Sequence, residues 1–255
     1  MGENINRKRF VFLFIVLLFT YLLFLIISSF VRKDFIIVND VNGIFVYRNN
    51  SWNYIKNYYK FVSKKYDIYS GENYLGKYYL GYSRGLYLYD KDKNNVNSDY
   101  EIFAVSNKSK INVISFGLDY RDVTDDLYIK EYINSKGIIV NSNSYLYSSF
   151  DYDLDNDGKM EKIVSLSNHI DLNSTNFISA VFVVDDGNFY DIKYNSASEI
   201  SKLEILIVNK IIDVFNDNKI EFIIDKSYYS KPYMHCEDLY QYHNKISKRY
   251  STCEY

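Results

Sequence analysis

The most informative stretch of this chain reads Asp153-Leu154-Asp155-Asn156-Asp157-Gly158-Lys159-Met160-Glu161. It recurs in altered form on both sides, because Glu101 lies sixty positions upstream of Glu161 and Glu221 lies sixty positions downstream. A short apolar run follows each of these glutamates. A fixed period of this size is typical of repeat architectures. We therefore predict a mainly β fold of antiparallel repeats of about 60 residues.

Oxygen ligands occur in this stretch at the spacing of a calcium-binding loop. Alternate residues point oxygens at one centre, and a glycine, here Gly158, permits the sharp turn between them. The predicted ligands of Ca²⁺ are Asp153, Asp155, Asp157, the backbone carbonyl of Lys159, and Glu161. An EF-hand is excluded because Val164 occupies the twelfth position and the flanks are strand-like. A solvated acidic turn without metal is the alternative, although carboxylates this close together repel one another.

The two other copies of the loop are poorer in ligands. Downstream, Phe215 replaces the second ligand and Asn218 replaces the glycine, although asparagine still tolerates a left-handed turn. Upstream, the copy begins with Lys93, whose positive charge opposes a cation. We predict that both copies are structural turns that bind no ion.

An apolar run without charged residues begins near the N-terminus. It extends from Phe10 to Val31 and, at about 1.5 Å per residue, is long enough to cross a hydrocarbon core of about 30 Å. A cleaved signal peptide is the alternative, but such regions are shorter and end in small residues. We predict a cytoplasmic tail at 1–9, a transmembrane signal anchor at 10–31 and an extracellular domain at 34–255. The net charge of -2 gives no reason to expect nucleic acid as a partner.

The chain has two cysteines, Cys236 and Cys253. The sequence between them predicts a hairpin with a two-residue turn at Asn244-Lys245. The numbers of paired residues then sum to 489, which places the two cysteines opposite each other at disulfide distance. A bulge would shift this register and leave two unrelated thiols, so both possibilities stay open.

Smaller elements can also be predicted. Hairpins are expected at 35–47, turning at Asn42-Gly43, and at 77–89, turning near Arg84-Gly85. The segment 52–66 is equally compatible with helix and strand. A short helix is predicted over 124–136, capped by Thr124 and ended by Gly137.

The stretch from Asp153 to Val164 resembles the FG-GAP/VCBS repeats, the calcium-loop repeats of integrin-α-type β-propellers. A hairpin around Asp186-Gly187 follows it, as in those repeats. The likeness extends over 145–195, is weaker over 205–250 and is faint over 85–120. This resemblance implies an extracellular domain built from propeller-like blades. It also implies that calcium stabilises the domain and that the domain serves in binding. Such propellers have about seven blades, whereas 34–255 holds at most about four units, so an incomplete array is expected.

The sequence contains no catalytic motif. The function that it favours is a membrane-anchored surface module, stabilised by calcium, that binds protein or glycan. A non-binding structural or regulatory subunit of an envelope complex is the first alternative, and a degenerate hydrolase is the second.

Overall fold

The structure is a computed structural model in which the chain divides into two compact units, Met1–Asp34 and Phe35–Tyr255. The residues that it describes are 14, 16, 18–21, 35–39, 44–48, 51–55, 61–70, 73–82, 86–96, 102–105, 111–116, 118–124, 126–213 and 219–251. The predicted tail at 1–9 and most of the predicted anchor at 10–31 lie outside these residues. Within the described residues, no helix combines the length and the apolar character that crossing a membrane requires.

The second unit is mainly β with antiparallel sheets, and this part of the fold prediction is confirmed. Its strands are β1 (Phe35–Asn39), β2 (Ile44–Arg48), β3 (Ser51–Ile55), β4 (Lys65–Ser70), β5 (Asn73–Tyr82), β6 (Leu86–Tyr89), β7 (Ile102–Val105), β8 (Asn112–Phe116), β9 (Arg121–Val123), β10 (Tyr145–Tyr152), β11 (Glu161–Ser167), β12 (Phe177–Asp185), β13 (Asn188–Ala197), β14 (Glu204–Asp213), β15 (Ile220–Tyr228), β16 (Lys231–His243) and β17 (Ile246–Ser251). The described part of this second unit also has one α-helix, α1 (Leu127–Ser135), and a short 3-10 helix at Ile200–Lys202.

The strands form three sheets. The seven-stranded sheet has the order β3-β2-β1-β7-β4-β5-β6, the central sheet β17-β16-β15-β14-β8, and the outer sheet β13-β12-β11-β10-β9. The central and outer sheets are each a four-stranded meander with one additional strand at the edge. The described strands do not close into a propeller.

The central sheet is covered on both faces. Along β15, Phe222 and Ile224 pack with Ile163 of the outer sheet, whereas Ile223 packs with Trp52 of the seven-stranded sheet. This follows from the strand period of two, which sends neighbouring side chains to opposite faces. All five side chains are almost fully buried. Since each buried aliphatic side chain contributes about 1.5–3 kcal/mol, β15 stabilises two interfaces at once.

Helix α1 covers the free face of the outer sheet. The ring of Tyr132 stacks on Phe182 of β12 with centroids 3.8 Å apart, and Ile129 packs into the same cluster. The resulting order of layers is seven-stranded sheet, central sheet, outer sheet and helix.

The meanders β10–β13 and β14–β17 repeat with nearly the period seen in the sequence. β11 begins at Glu161 and β15 at Ile220, which is an offset of 59 residues. Positions sixty apart also keep their orientation. Ile163 faces the central sheet, and Ile223 faces the seven-stranded sheet, so each points to the layer that precedes its own in the stack.

The upstream copy does not follow this pattern. Glu101 lies outside the described residues, and the strand after it, β7, pairs with β1 and β4 rather than with the strand that precedes it in sequence. The two later copies therefore lie in meanders of the same topology, whereas the strand after the first copy does not. The reason is that strand pairing is set by side-chain packing between distant segments, which a single shared glutamate does not encode.

The two hairpins predicted around Asp186-Gly187 and Asn244-Lys245 are present, and each turns through residues with positive φ. The β12–β13 turn has positive φ at Asp186 (46°) and Gly187 (78°), and the β16–β17 turn has it at Asn244 (48°) and Lys245 (66°). Two successive positive φ values match the right-handed twist of the strands that they join. His243 pairs with Ile246 and Asp238 with Ser251, so the predicted register of the last hairpin is confirmed.

Near the N-terminus, the expected hairpins β1–β2 and β5–β6 are present, although their turn residues lie outside the described ones. The ambiguous segment 52–66 contributes strands, because β3 pairs with β2 and the following β4 pairs with β5. The predicted helix exists as α1, but Thr124 as its cap is wrong. Asp126 is the N-cap, and its side chain accepts hydrogen bonds from the backbone amides of Tyr128 and Ile129.

Candidate metal centre

The predicted calcium loop joins β10 to β11. Its last flanking pair is Tyr152 with Glu161, so the loop comprises 153–160. Gly158 (φ 88°) and Asn156 (φ 58°) adopt the left-handed conformation that turns the chain back on itself. The amide of Asp157 donates to Asp153 Oδ1 at 3.1 Å, and the amide of Gly158 donates to Asp153 Oδ2 at 3.0 Å. These bonds fix the loop around the first predicted ligand.

Three of the predicted ligands converge. One carboxylate oxygen each from Asp153, Asp155 and Glu161 lies within 4.8 Å of the other two. Asp155 is exposed and Asp153 is partly exposed, whereas Glu161 is buried, with 5% of its surface exposed. The cluster therefore has one predicted ligand fixed inside the protein and two that reach it from the loop.

Glu161 is held in an electrostatically unfavourable position. Burial raises the pKa of its carboxyl, and the nearby acids Asp155, Asp185 and Asp153 raise it further. The amide of Leu154 donates to Glu161 Oε2 at 2.6 Å, and this bond acts in the opposite direction by stabilising the carboxylate. A cation at the cluster would relieve the remaining repulsion.

The Asp157 carboxylate is not part of the converging group of side chains. Asp157 Oδ1 accepts a hydrogen bond from the Lys159 amide at 2.8 Å, so this carboxylate closes the turn. The Lys159 ammonium is 3.2 Å from Asp186 Oδ2 on the next hairpin. The use of the Lys159 carbonyl as a ligand stays a prediction.

A cavity of about 350 Å³ adjoins the cluster. Its lining comes from the outer sheet on one side and from the β16–β17 turn of the central sheet on the other, and comprises Leu154, Asp155, Glu161, Asp185, Tyr242, His243, Asn244 and Lys245. Lys245 reaches across it, with its ammonium 2.5 Å from Asp185 Oδ2 and 3.2 Å from the Tyr190 hydroxyl. These contacts raise the pKa of Lys245, with the Asp185 bond as the largest cause.

Sequence reasoning did not identify Asp185 and Lys245 as parts of this site. Asp185 reaches the loop because β12 pairs with β11, with Val184 opposite Lys162, whereas Lys245 reaches it because the central sheet packs on the outer sheet. The sequence did contain one signal. Asp185 precedes the β12–β13 turn, which lies at the same end of its meander as the acidic loop, and Lys245 lies in the β16–β17 turn, at the corresponding end of the other meander.

The glutamate of the downstream copy has different hydrogen-bond partners. Glu221, the counterpart of Glu161, is buried and accepts hydrogen bonds at Oε1 from the Trp52 indole and from the Gln241 amide, both at 3.0 Å. Asp217 and Asn218 lie outside the described residues. Within the described residues, the Asp153, Asp155 and Glu161 group is the one acidic cluster with metal-ligand geometry.

Cys236 is buried and disulfide-bonded. Its predicted partner, Cys253, lies outside the described residues. The register on which that prediction rests is observed as far as Ser251.

The fold and this cluster define a mainly β protein with stacked antiparallel meanders and one acidic loop suited to a cation. Comparisons with protein-family models, with curated proteins and with solved structures found no match for this chain.

Proposed function

We propose that this chain is a membrane-anchored extracellular β-repeat module that calcium stabilises and that binds protein or glycan at the cell surface. The observation that carries the proposal is the convergence of Asp153, Asp155 and Glu161 within 4.8 Å at the junction of two stacked sheets. The resemblance of this loop to FG-GAP/VCBS repeats supports the same function, and two meanders in register would form part of an incomplete propeller.

The donor set fits calcium. Ca²⁺ takes six to eight hard oxygen ligands and tolerates irregular geometry, and carboxylates supply such oxygens. Asp153, Asp155 and Glu161 would hold the ion, with water and the predicted Asp157 and Lys159 oxygens as further ligands. The ion would neutralise the repulsion at Glu161 and connect the loop to the buried start of β11.

Three features support a membrane-anchored, extracellular location. The apolar run at 10–31 has the length of a membrane anchor. Disulfides such as the one at Cys236 persist in oxidising compartments. Calcium sites of moderate affinity also suit the extracellular medium, where calcium is abundant.

The proposal is tested by thermal unfolding of the full-length protein in detergent, with calcium and with chelator. With a dissociation constant of ~0.1–1 mM and ~1 mM calcium, linkage predicts a stabilisation of about 0.4–1.4 kcal/mol. This corresponds to a rise in Tm of about 1–5 °C for a domain of this size.

The variant Asp155→Ala is expected to abolish this rise. Asp151→Ala is the matched control, because Asp151 lies just before the loop and pairs with the Lys162 ammonium at 2.6 Å outside the cluster. A calcium effect that is absent from the wild type, or that persists in Asp155→Ala, contradicts the site.

A further inference from the structure

A row of tyrosines lies on one face of the seven-stranded sheet, far from the acidic loop in sequence. Lys65 of β4 pairs with Tyr79 of β5, and Tyr79 pairs with Tyr89 of β6. Tyr87 follows on the same face of β6, two residues before Tyr89. We call Lys65, Tyr79, Tyr87 and Tyr89 the tyrosine face. The alternate residues Leu80 and Leu88 are buried on the opposite face.

The three rings of the tyrosine face are partly exposed, and two of them stack on each other. Tyr79 and Tyr89 have ring centroids 5.3 Å apart with planes at 19°, and Tyr87 and Tyr89 have centroids 5.9 Å apart. The Lys65 ammonium is 5.8 Å from the centre of the Tyr79 ring. Three neighbouring aromatic rings and one cation therefore occupy a small area of sheet.

Because Gly81 has no side chain, the Tyr87 ring can lie directly against the sheet. Gly81 pairs with Tyr87 across the strands, and a Cβ atom at Gly81 would lie 2.3 Å from Cζ of that ring. Glycine within a strand permits such a close approach. The ring thus packs directly on the backbone of β5, which limits its movement before any ligand arrives.

The charge on the tyrosine face is unbalanced. Lys65 is exposed, and within the described part of the chain it forms no ion pair. In the adjacent row, Lys77 lies 3.7 Å from Asp67, so those charges offset each other. The face therefore presents one uncompensated positive charge next to three rings.

We propose that the tyrosine face binds an acidic oligosaccharide that contains uronate sugars. The C–H faces of a sugar ring are apolar with slight positive charge, and they complement the negative face of an aromatic ring. A uronate carboxylate on such a chain forms a charge-assisted pair with Lys65. This inference rests on the proposed binding function and names its ligand class and its location, which is distinct from the calcium loop.

The charge distribution favours a glycan over nucleic acid. Single-stranded nucleic acids also stack on aromatic rings, but their binding sites follow the backbone with an extended positively charged groove. The tyrosine face, as far as the structure describes it, has one uncompensated lysine, and on a chain of net charge -2 this does not provide that groove. It does match the sparse carboxylates of an acidic glycan.

The test is calorimetric titration of the full-length protein in detergent with a hyaluronan hexasaccharide and with hexagalacturonate. Chelator is present throughout, so that failure of the calcium site does not affect the result. Chitohexaose serves as the neutral comparison, and a hexathymidylate serves as the nucleic-acid comparison. We expect at least one of the two uronate oligosaccharides to bind more tightly than both comparisons.

Lys65→Gln is expected to weaken uronate binding about tenfold, because a hydrogen-bonded ion pair is lost. Tyr87→Ala is expected to weaken it about threefold to tenfold. The matched control is Lys162→Gln. Lys162 lies at the same 5.8 Å from a tyrosine ring, that of Tyr128, but its charge is paired with Asp151.

Each remaining outcome overturns the proposal. These outcomes are no binding of either uronate, equal affinity for chitohexaose, tighter binding of hexathymidylate, or equal losses in Lys65→Gln and Lys162→Gln. Lys65→Gln changes only an exposed side chain, so it remains informative if Tyr87→Ala fails to fold. The calcium melt described above tests the metal site separately.

Discussion

Glu161 and Asp155 occupy the same loop but have different surroundings. Glu161 begins a strand that is buried against the central sheet, whereas Asp155 is exposed at the tip of the turn. The spacing of the acidic residues in the loop predicts that both side chains point to one centre, and their carboxylate oxygens do converge. Asp157 has the same spacing but bonds instead to the Lys159 amide, because a short turn must satisfy its own backbone groups.

Asp171 shows how a carboxylate organises a loop without metal. Its oxygens accept hydrogen bonds from the Asn143 amide at 2.7 Å, the Ser142 hydroxyl at 2.9 Å and the Asn173 amide at 3.1 Å. The Asn143 bond is the largest cause of the lowered pKa of this carboxyl, and the Ser142 bond is the next favourable one. A group whose pKa is lowered on folding stabilises the protein above its unfolded pKa and loses that effect as the pH falls through the folded value.

We therefore expect Asp171→Asn to lower Tm at neutral pH, and the difference from wild type to shrink as the pH falls below about 4. The measurement is Tm against pH for both proteins. Asp119→Asn, at an exposed aspartate between β8 and β9, is the control and should leave the profile unchanged. A difference that is constant across the pH range would show that the charge of Asp171 is not responsible.

At the scale of elements, α1 shows where local rules leave a choice. Thr124 and Asp126 are both good N-cap residues, and the sequence does not distinguish them. In the structure, Asp126 has extended backbone angles and accepts from the Tyr128 amide at 2.9 Å. Thr124 lies just beyond the end of β9, so the strand and the chain that leaves it determine where the helix begins.

Asp126→Ala is expected to lower the free energy of unfolding by about 0.5–2 kcal/mol, because it removes the side-chain acceptor for two helix amides. Thr124→Ala should change the free energy of unfolding by no more than about 0.5 kcal/mol. Urea unfolding of the two variants provides the comparison. Equal losses in both would mean that Thr124 shares the capping role.

At the scale of the whole molecule, the central sheet connects the layers. Its strand β15 packs through alternate residues on the seven-stranded sheet and on the outer sheet. The buried hydrogen bond from Trp52 to Glu221 adds a polar contact between the first two layers. The three sheets should therefore unfold together rather than as separate units.

Ile223→Ala tests this coupling. The substitution should lower the free energy of unfolding by about 2–5 kcal/mol, because it leaves a cavity at the seven-stranded interface. Hydrogen exchange followed by mass spectrometry should then accelerate in β2, which that interface contains, and equally in β11 of the outer sheet. Ile139→Ala, at a side chain that is 83% exposed, is the control. Unchanged exchange in β11 would mean that the outer sheet unfolds independently.

The sequence by itself determined the features that arise within a few residues. These are the antiparallel β class, the positive-φ turns at Asp186-Gly187 and Asn244-Lys245, the register of the last hairpin and the spacing of the acidic loop. Local steric preferences and the strand period of two are enough to specify them.

Only the tertiary structure decided the order of the layers, the burial of Glu161, the cavity shared with Lys245 and the row of rings on the tyrosine face. Each depends on contacts between distant segments, such as Trp52 and Glu221, which are 169 residues apart. Such contacts form because apolar faces must be buried somewhere, and the local pattern marks those faces without naming their partners.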